Sequence, residues 1–274
     1  MIIKNISIKP FEKTETLIIH NLYPTNWNFD FLEFIDRYFN SKFFFGFTVL
    51  ENGRPIGFGN LFIFDNVAWI GNIVISEVSR GKGIGKFLMN HLFEFGESRK
   101  VQTFILIASE MGIPLYEKLG FKTQEFYGFF QPPEKIINLN SAIVLQHAQK
   151  DDLLKILDFD YKINNENRIE LLKQHLSDTF ISFDDFKNIN GLYIKSLDNG
   201  LVIATIPEIG IEILKQKIND AGNQIVVPLK NVPAIKFLKS IGYKMYTDAP
   251  RMILGENLSW KSEFIYSRGA GYCG

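Results

Sequence analysis

The stretch SRGKGIGKF, residues 79–87, sets Gly81, Gly83 and Gly85 among Arg80, Lys82 and Lys86. An apolar run precedes it, and a helical pattern follows from Ile84. A helix start leaves backbone N–H groups without intrahelical partners, and the helix dipole adds partial positive charge there. Glycine lets such a backbone approach a guest closely, and the three cations add formal charge. The chemistry this predicts is anion binding, with a pyrophosphate as a natural guest. Two common phosphate motifs fail. A P-loop needs Ser or Thr after its Gly-Lys pair, but Phe87 follows Gly85 and Lys86, and its first glycine would fall on Arg80. A dinucleotide fingerprint needs glycine at 86, which is Lys, and a strand–helix–strand setting.

The elements around the loop are legible from periodicity. Residues 6–11 read as a first strand, and 14–40 as helix in two pieces split at Pro24. The second piece places Phe31, Phe34, Ile35 and Tyr38 on one face, with Asp30 near its start. Strands at 43–50, 56–64 and 67–76 are joined by Asn52-Gly53 and Asp65-Asn66, which predicts an antiparallel meander leading into the loop. The helix after it keeps Ile84, Phe87, Leu88, Leu92 and Phe95 together; His91 on that side reads as packing. A strand at 101–109, a short helix at 111–120 ending at Gly120, and a strand at 121–130 follow. QPPEK, residues 131–135, breaks regular structure and serves as a linker between domains at 1–130 and 136–274. The second half reads as a strand at 141–146, a helix from Asp151, a helix at 168–176, a hairpin across LDNG, a helix at 211–218, a strand at 223–229, a helix at 233–242, and strands at 243–247 and 250–254.

The halves resemble each other. PLYEKLGFK at 114–122 matches IKFLKSIGYK at 235–244, and Asp65-Asn66 matches Asp198-Asn199. The interval from Asp65 to Gly120 spans 55 positions and that from Asp198 to Gly242 spans 44, eleven fewer. The deficit falls where the glycine loop would be, so the chain reads as a duplication whose second copy lacks the loop.

Composition limits the function classes. Hydrophobic residues make up 46% and charged residues 22% of 274, with 26 Phe to build a core. Lys+Arg and Asp+Glu balance at 30 each, so no electrostatic footprint for nucleic acid or an anionic membrane is expected. Cys273 is the single cysteine, which fits a reducing compartment. No signal peptide and no membrane-length apolar run are read, so a cytoplasmic protein is expected.

VISEVSRGKGIGKFLMNHL resembles the acyl-CoA pyrophosphate motif of the GNAT superfamily of N-acetyltransferases, Arg/Gln-x-x-Gly-x-Gly/Ala, through Arg80, Gly83 and Gly85. ASEMGIPLYEKLGFK resembles the family's second coenzyme segment, and the two occur in the family's order. The whole chain is similar to two-domain bacterial GNAT proteins with a degenerate second half. The resemblance implies an α/β (α+β) fold class: tandem GNAT folds, each a mixed, mostly antiparallel sheet flanked by helices. It implies acetyl-CoA as acyl donor, no metal, and an amine on a small molecule or peptide as acceptor, attacked directly in a ternary complex. The coenzyme would be held by backbone at Ile73, Val74 and Ile75, by the loop residues Arg80, Gly81, Lys82, Gly83, Ile84, Gly85 and Lys86, and by Ser109. Tyr116 holds the place of the acid that protonates the leaving thiolate. Two departures stand out: Ser109 where the family often has Asn, and Glu77 where it often has Pro. In the second half Asn231 holds the Asn place, and Leu238 the tyrosine place. Aromatic residues Tyr23, Trp27, Phe29, Tyr127 and Phe129 are expected near the acceptor. Other classes stay open: a non-catalytic acyl-CoA sensor or interaction module, and a binding module for another phosphate ligand.

Overall fold

The computed structural model describes residues 5–25, 27, 29–135, 138–221 and 224–273. It divides into two compact units, one of residues up to 106 with 114–120, the other of 107–113 with 121 onward. The strand at the end of the first repeat thus clusters with the second unit. The sequence boundary at 136 falls outside the described residues.

The first unit is built on the predicted meander. β1 (Ile6–Pro10) leads to α1 (Thr16–His20) and α2 (Phe31–Tyr38). Strands β2 (Phe44–Glu51), β3 (Arg54–Phe64) and β4 (Val67–Ile75) follow in antiparallel register. Then come α3 (Ile84–Ser98), β5 (Thr103–Ile107) and α4 (Ile113–Lys118). Asp30 caps α2, its carboxylate accepting from the amides of Leu32 at 2.8 Å and Glu33 at 3.1 Å. Phe31, Phe34, Ile35 and Tyr38 are buried as the periodicity predicts. The two sheet faces take different partners. Phe58 meets Phe31 of α2 and Phe11 edge-to-face at 5.0 and 5.2 Å. Gly59, pointing the other way, has Leu88 and Leu92 of α3 where a Cβ would lie. Phe87, predicted on the buried face of α3, is 37% exposed, and Met89 is buried.

The second unit contains two antiparallel sheets. β6 (Lys122–Gln131), β11 (Ile225–Pro228) and β12 (Lys244–Gly255) form one, with β6 in the middle. β7 (Gln146–His147), β8 (Thr179–Phe183), β9 (Ile189–Ile194), β10 (Leu201–Ala204) and β13 (Ile265–Ser267) form the other in the order β13-β10-β9-β8-β7. The helices are α5 (Leu153–Asn164), α6 (Ile169–Gln174), α7 (Pro207–Ala221) and α8 (Val232–Ser240). Three expectations need correcting. The strand predicted at 141–146 survives only at its end, because side chains of α7 take its backbone. Glu212 accepts from the Ala142 amide at 2.6 Å, and Gln216 donates to the Ile143 carbonyl at 3.1 Å. The strands predicted at 243–247 and 250–254 are one strand, kept continuous by pairing with β6 through two register shifts. The helix predicted at 211–218 starts four residues earlier, at Pro207, whose fixed φ suits a first helical turn.

The paired sequence anchors of the two halves share backbone conformation. Asp65 and Asp198 take left-handed φ values of 53° and 47°, and Gly120 and Gly242 take 94° and 90°. No described helix is long and apolar enough to cross a membrane.

Candidate active site

β4 carries the first part of the site. It pairs in parallel with β5 at three positions: Val67 with Thr103, Ala68 with Phe104, Trp69 with Ile105. From Ile70 to Ile75 its described strand partner is β3 alone. A gap opens there, lined by β4 backbone that β5 does not pair. Which groups face it follows from the ladder. The Ser76 amide donates to the Ile56 carbonyl at 2.7 Å, so by strand alternation the Val74 amide also faces β3 and the Ile75 amide faces the gap. The Ile75 carbonyl is already taken, accepting from Arg80 Nε at 3.0 Å. A bulge sets this phase. Phe58 pairs with Val74 and Asn60 with Gly71, so Asn72 and Ile73 together oppose Gly59. Asn72 accommodates it with a φ of 56°, a conformation Asn tolerates.

The loop carries the second part. After a short turn at Glu77–Ser79, Gly81 and Gly83 adopt φ of 75° and 81°. Gly83 is the N-cap of α3 and offers no side chain to it. The first bond of the helix runs from the Phe87 amide to the Gly83 carbonyl at 3.0 Å. Among the described residues, the amides of residues 81–86 have no hydrogen-bond partner. Six consecutive free N–H groups at a helix start form an anion cradle. A Cβ at Gly81 or Gly83 would meet no protein atom within 4 Å. A side chain there is opposed by the left-handed φ, not by a clash within the protein. Ile84 puts its side chain in the core, leaving its amide for the cradle. Lys82 and Lys86 are exposed. Arg80 folds back instead, bonding Ile75 and pairing with Glu77 at 3.5 Å.

Tyr116 comes with α4. At Gly85 a Cβ would lie 3.4 Å from Leu115 Cδ2, so α4 packs against the first turn of α3. Tyr116 is 7% exposed, and burial raises its phenol to about 12, which keeps it a proton donor at neutral pH. Ser109 is exposed in the second unit, and its carbonyl accepts from the amides of Gly112 and Ile113 at 2.8 and 3.1 Å. Of the aromatic residues expected near an acceptor, Tyr23 lies 6.0 Å from Trp27 and 5.3 Å from Phe29, ring to ring. Tyr127 is fully buried beside Trp260, and Phe129 is half-buried near Tyr246.

The family model "Acetyltransferase (GNAT) family" matches residues 9–121, which span the meander, the loop and Tyr116. Residues 9–121 are thus similar to the GNAT acetyltransferases. Over 80 residues the chain is 36% identical to a glucosamine 6-phosphate N-acetyltransferase of Trypanosoma brucei brucei, covering 27% of this chain and 54% of the relative. The chain thus spans about half the length of that relative. A crystal structure from Pyrococcus horikoshii, whose acetyltransferase assignment is itself provisional, superposes with TM-score 0.83 at 19% identity, covering 100% of this chain and 98% of the other. A tandem GNAT protein from the clavulanic acid biosynthesis pathway superposes with TM-score 0.60 at 12% identity over 93% and 99% of the two chains. At these identities the two structures show the fold alone.

Among the described residues, the second half has neither the open strand edge nor the glycine loop. β4 has nine residues and its counterpart β10 four; eight residues join β4 to α3 and two join β10 to α7. The missing strand end and connection match the eleven-residue deficit. The gap is filled as well. β13 pairs with β10 through Val202–Ser267 and Ile203–Ile265, and on its other side the Arg268 amide donates to the Val226 carbonyl of β11 at 2.7 Å. Asn231, in the place of the family's Asn, caps α8 through the Ala234 amide at 2.9 Å and donates to the Ile265 carbonyl at 3.0 Å. Leu238 is a core residue. Sequence reasoning singled out the loop and Tyr116 as candidates, but missed the fold-back of Arg80 and the filling by β13. An Asn inside an apolar strand was the available signal for the bulge.

Proposed function

We propose that the chain is an acetyl-CoA-dependent N-acyltransferase whose site lies in the first GNAT domain, residues 1–130. In this reading residues 136–274 form a degenerate copy that shapes the acceptor side without binding coenzyme. The observation that carries the proposal is the run of six unpartnered amides at residues 81–86, placed beside a β4 edge that β5 does not pair.

The cradle, with Lys82 and Lys86, would hold the pyrophosphate of the donor. Backbone at Ile73 and Ile75 would receive the pantetheine and thioester groups, and a gap-facing amide would stabilise negative charge as it grows on the carbonyl oxygen. Acetyl-CoA supplies an acyl group on a thiolate leaving group. A neutral amine attacks the carbonyl carbon; the C–N bond forms, the C–S bond breaks, and the amine's proton passes to water, from which the phenolate of Tyr116 is re-protonated. Tyr116, protonated through burial, gives its proton to the departing sulfur. The acceptor is an amine; the T. brucei brucei relative's name makes amino sugars a first class to try. No membrane or nucleic-acid role is invoked, and a cytoplasmic location is the expectation. The test is calorimetric titration of acetyl-CoA, followed by thiol release over amino sugars, polyamines and peptide amines. Micromolar binding with acceptor-dependent release supports the proposal; binding without release on any amine favours a sensor; no binding refutes both.

A further inference from the structure

We infer that Tyr23, in the connection between α1 and α2, is a positioning residue that locks the β4 bulge and so sets which β4 amides face the gap that would receive the thioester. The inference rests on the acyl-transfer reading above.

The bulge decides which residues face the gap. With it, Val74 opposes Phe58 and Ile75 points outward. Remove the extra residue and the register slips by one: Ile73 would oppose Phe58, and the Ile75 amide would turn into the ladder. The bulge holds a non-glycine residue at φ 56°, which is disfavoured and needs support from its surroundings. Two contacts supply it. The Tyr23 hydroxyl donates to the Asn72 carbonyl at 2.9 Å, across 49 positions of sequence. The Asn72 side chain donates to Asn60 Oδ1 at 2.9 Å, and Asn60 is fully buried on β3. Tyr23 is itself held firmly. It is 9% exposed, and its ring lies 5.3 Å from both Phe29 and Phe31. Burial raises its phenol well above the ordinary value, so it stays a donor across the working pH range. A rigid aromatic anchor therefore meets the strained residue at its carbonyl.

The test uses the full chain and acetyl-CoA labelled with ¹³C at the thioester carbonyl. Infrared spectra of the bound donor report carbonyl polarisation without any acceptor. If the wild-type chain does not bind acetyl-CoA, the acyl-transfer reading fails. If it binds and lowers the carbonyl frequency, Tyr23 can be judged separately. Tyr23→Phe keeps the ring packing and is expected to lose most of that shift and to lower kcat on the order of 10-fold, with Kd for acetyl-CoA changed less than about 2-fold. A second pair guards against misfolding. Asn72→Gly keeps the positive φ and the carbonyl, so it should keep the shift; Asn72→Val cannot adopt that φ readily and should lose it. A folded Tyr23→Phe with wild-type kcat and carbonyl frequency, or matching spectra for Asn72→Gly and Asn72→Val, overturns the inference.

Discussion

The two halves solve the same strand-edge problem in opposite ways. In the first, β4 and β5 separate after Trp69 and leave β4 backbone that β5 does not pair beside six free amides. In the second, β10 stops after four residues and β13 lies between it and β11. Unpaired backbone costs free energy unless something satisfies it. The first half leaves that to water or a ligand, the second to its own chain. A binding slot is in these terms unfinished secondary structure, and in the second half the chain itself completes the edge. The difference reaches the helices: Gly83 caps α3 with no side chain, while Asn231 caps α8 with its own.

The largest effect should come from chemistry confined to the first half. Tyr116→Phe is expected to lower turnover on the order of 10²–10⁴-fold with acetyl-CoA affinity nearly unchanged. Because Tyr116 is raised to about 12, the proton it gives is available up to that pH, and no loss of rate from this group should occur between pH 8 and 11. Wild-type turnover in Tyr116→Phe on a good acceptor would remove the acid role. Next, Gly83→Val should weaken acetyl-CoA binding on the order of 100-fold, since a β-branched residue strains the left-handed φ and crowds the phosphates. Calorimetry reads the loss, and circular dichroism should show the fold intact. In the second half, Asn231→Ala removes a cap and a bond to the Ile265 carbonyl; it should cost about 1–2 kcal/mol in denaturant unfolding and leave acetyl-CoA affinity alone. A loss of coenzyme affinity in that variant would mean that the halves are not separable in this way. Smallest, Arg80→Ala should weaken acetyl-CoA binding several-fold only. Its guanidinium already bonds Ile75, and the backbone cradle remains; an effect matching Gly83→Val would show that charge outweighs the amides.

Local pattern carried much of this into the sequence. The meander, the α2 face and the glycine loop are set by neighbours within a few positions, and the duplication anchors recur as matching backbone angles. What escaped depends on distant partners. The strand at 141–146 has good strand composition, yet Glu212 and Gln216 claim its backbone from about seventy positions away. Nothing near Asn72 announces that Tyr23 will hold its carbonyl. Arg80 reads as an open cation until Ile75 and Glu77 are placed beside it.

The placement of β13 also has a history in time. Val202 and Ser267 are paired across 65 positions, so β10 emerges from the ribosome long before the strand that covers it. Until residues 265–267 arrive, the edges of β10 and β11 that β13 will cover are bare, the kind of edge that recruits strands from other chains. Closing that distant pair comes late and pays a long loop's entropy. The half that performs no chemistry in our reading is thus the one whose assembly is most exposed to aggregation, and a slowed or crowded synthesis should reveal it there first.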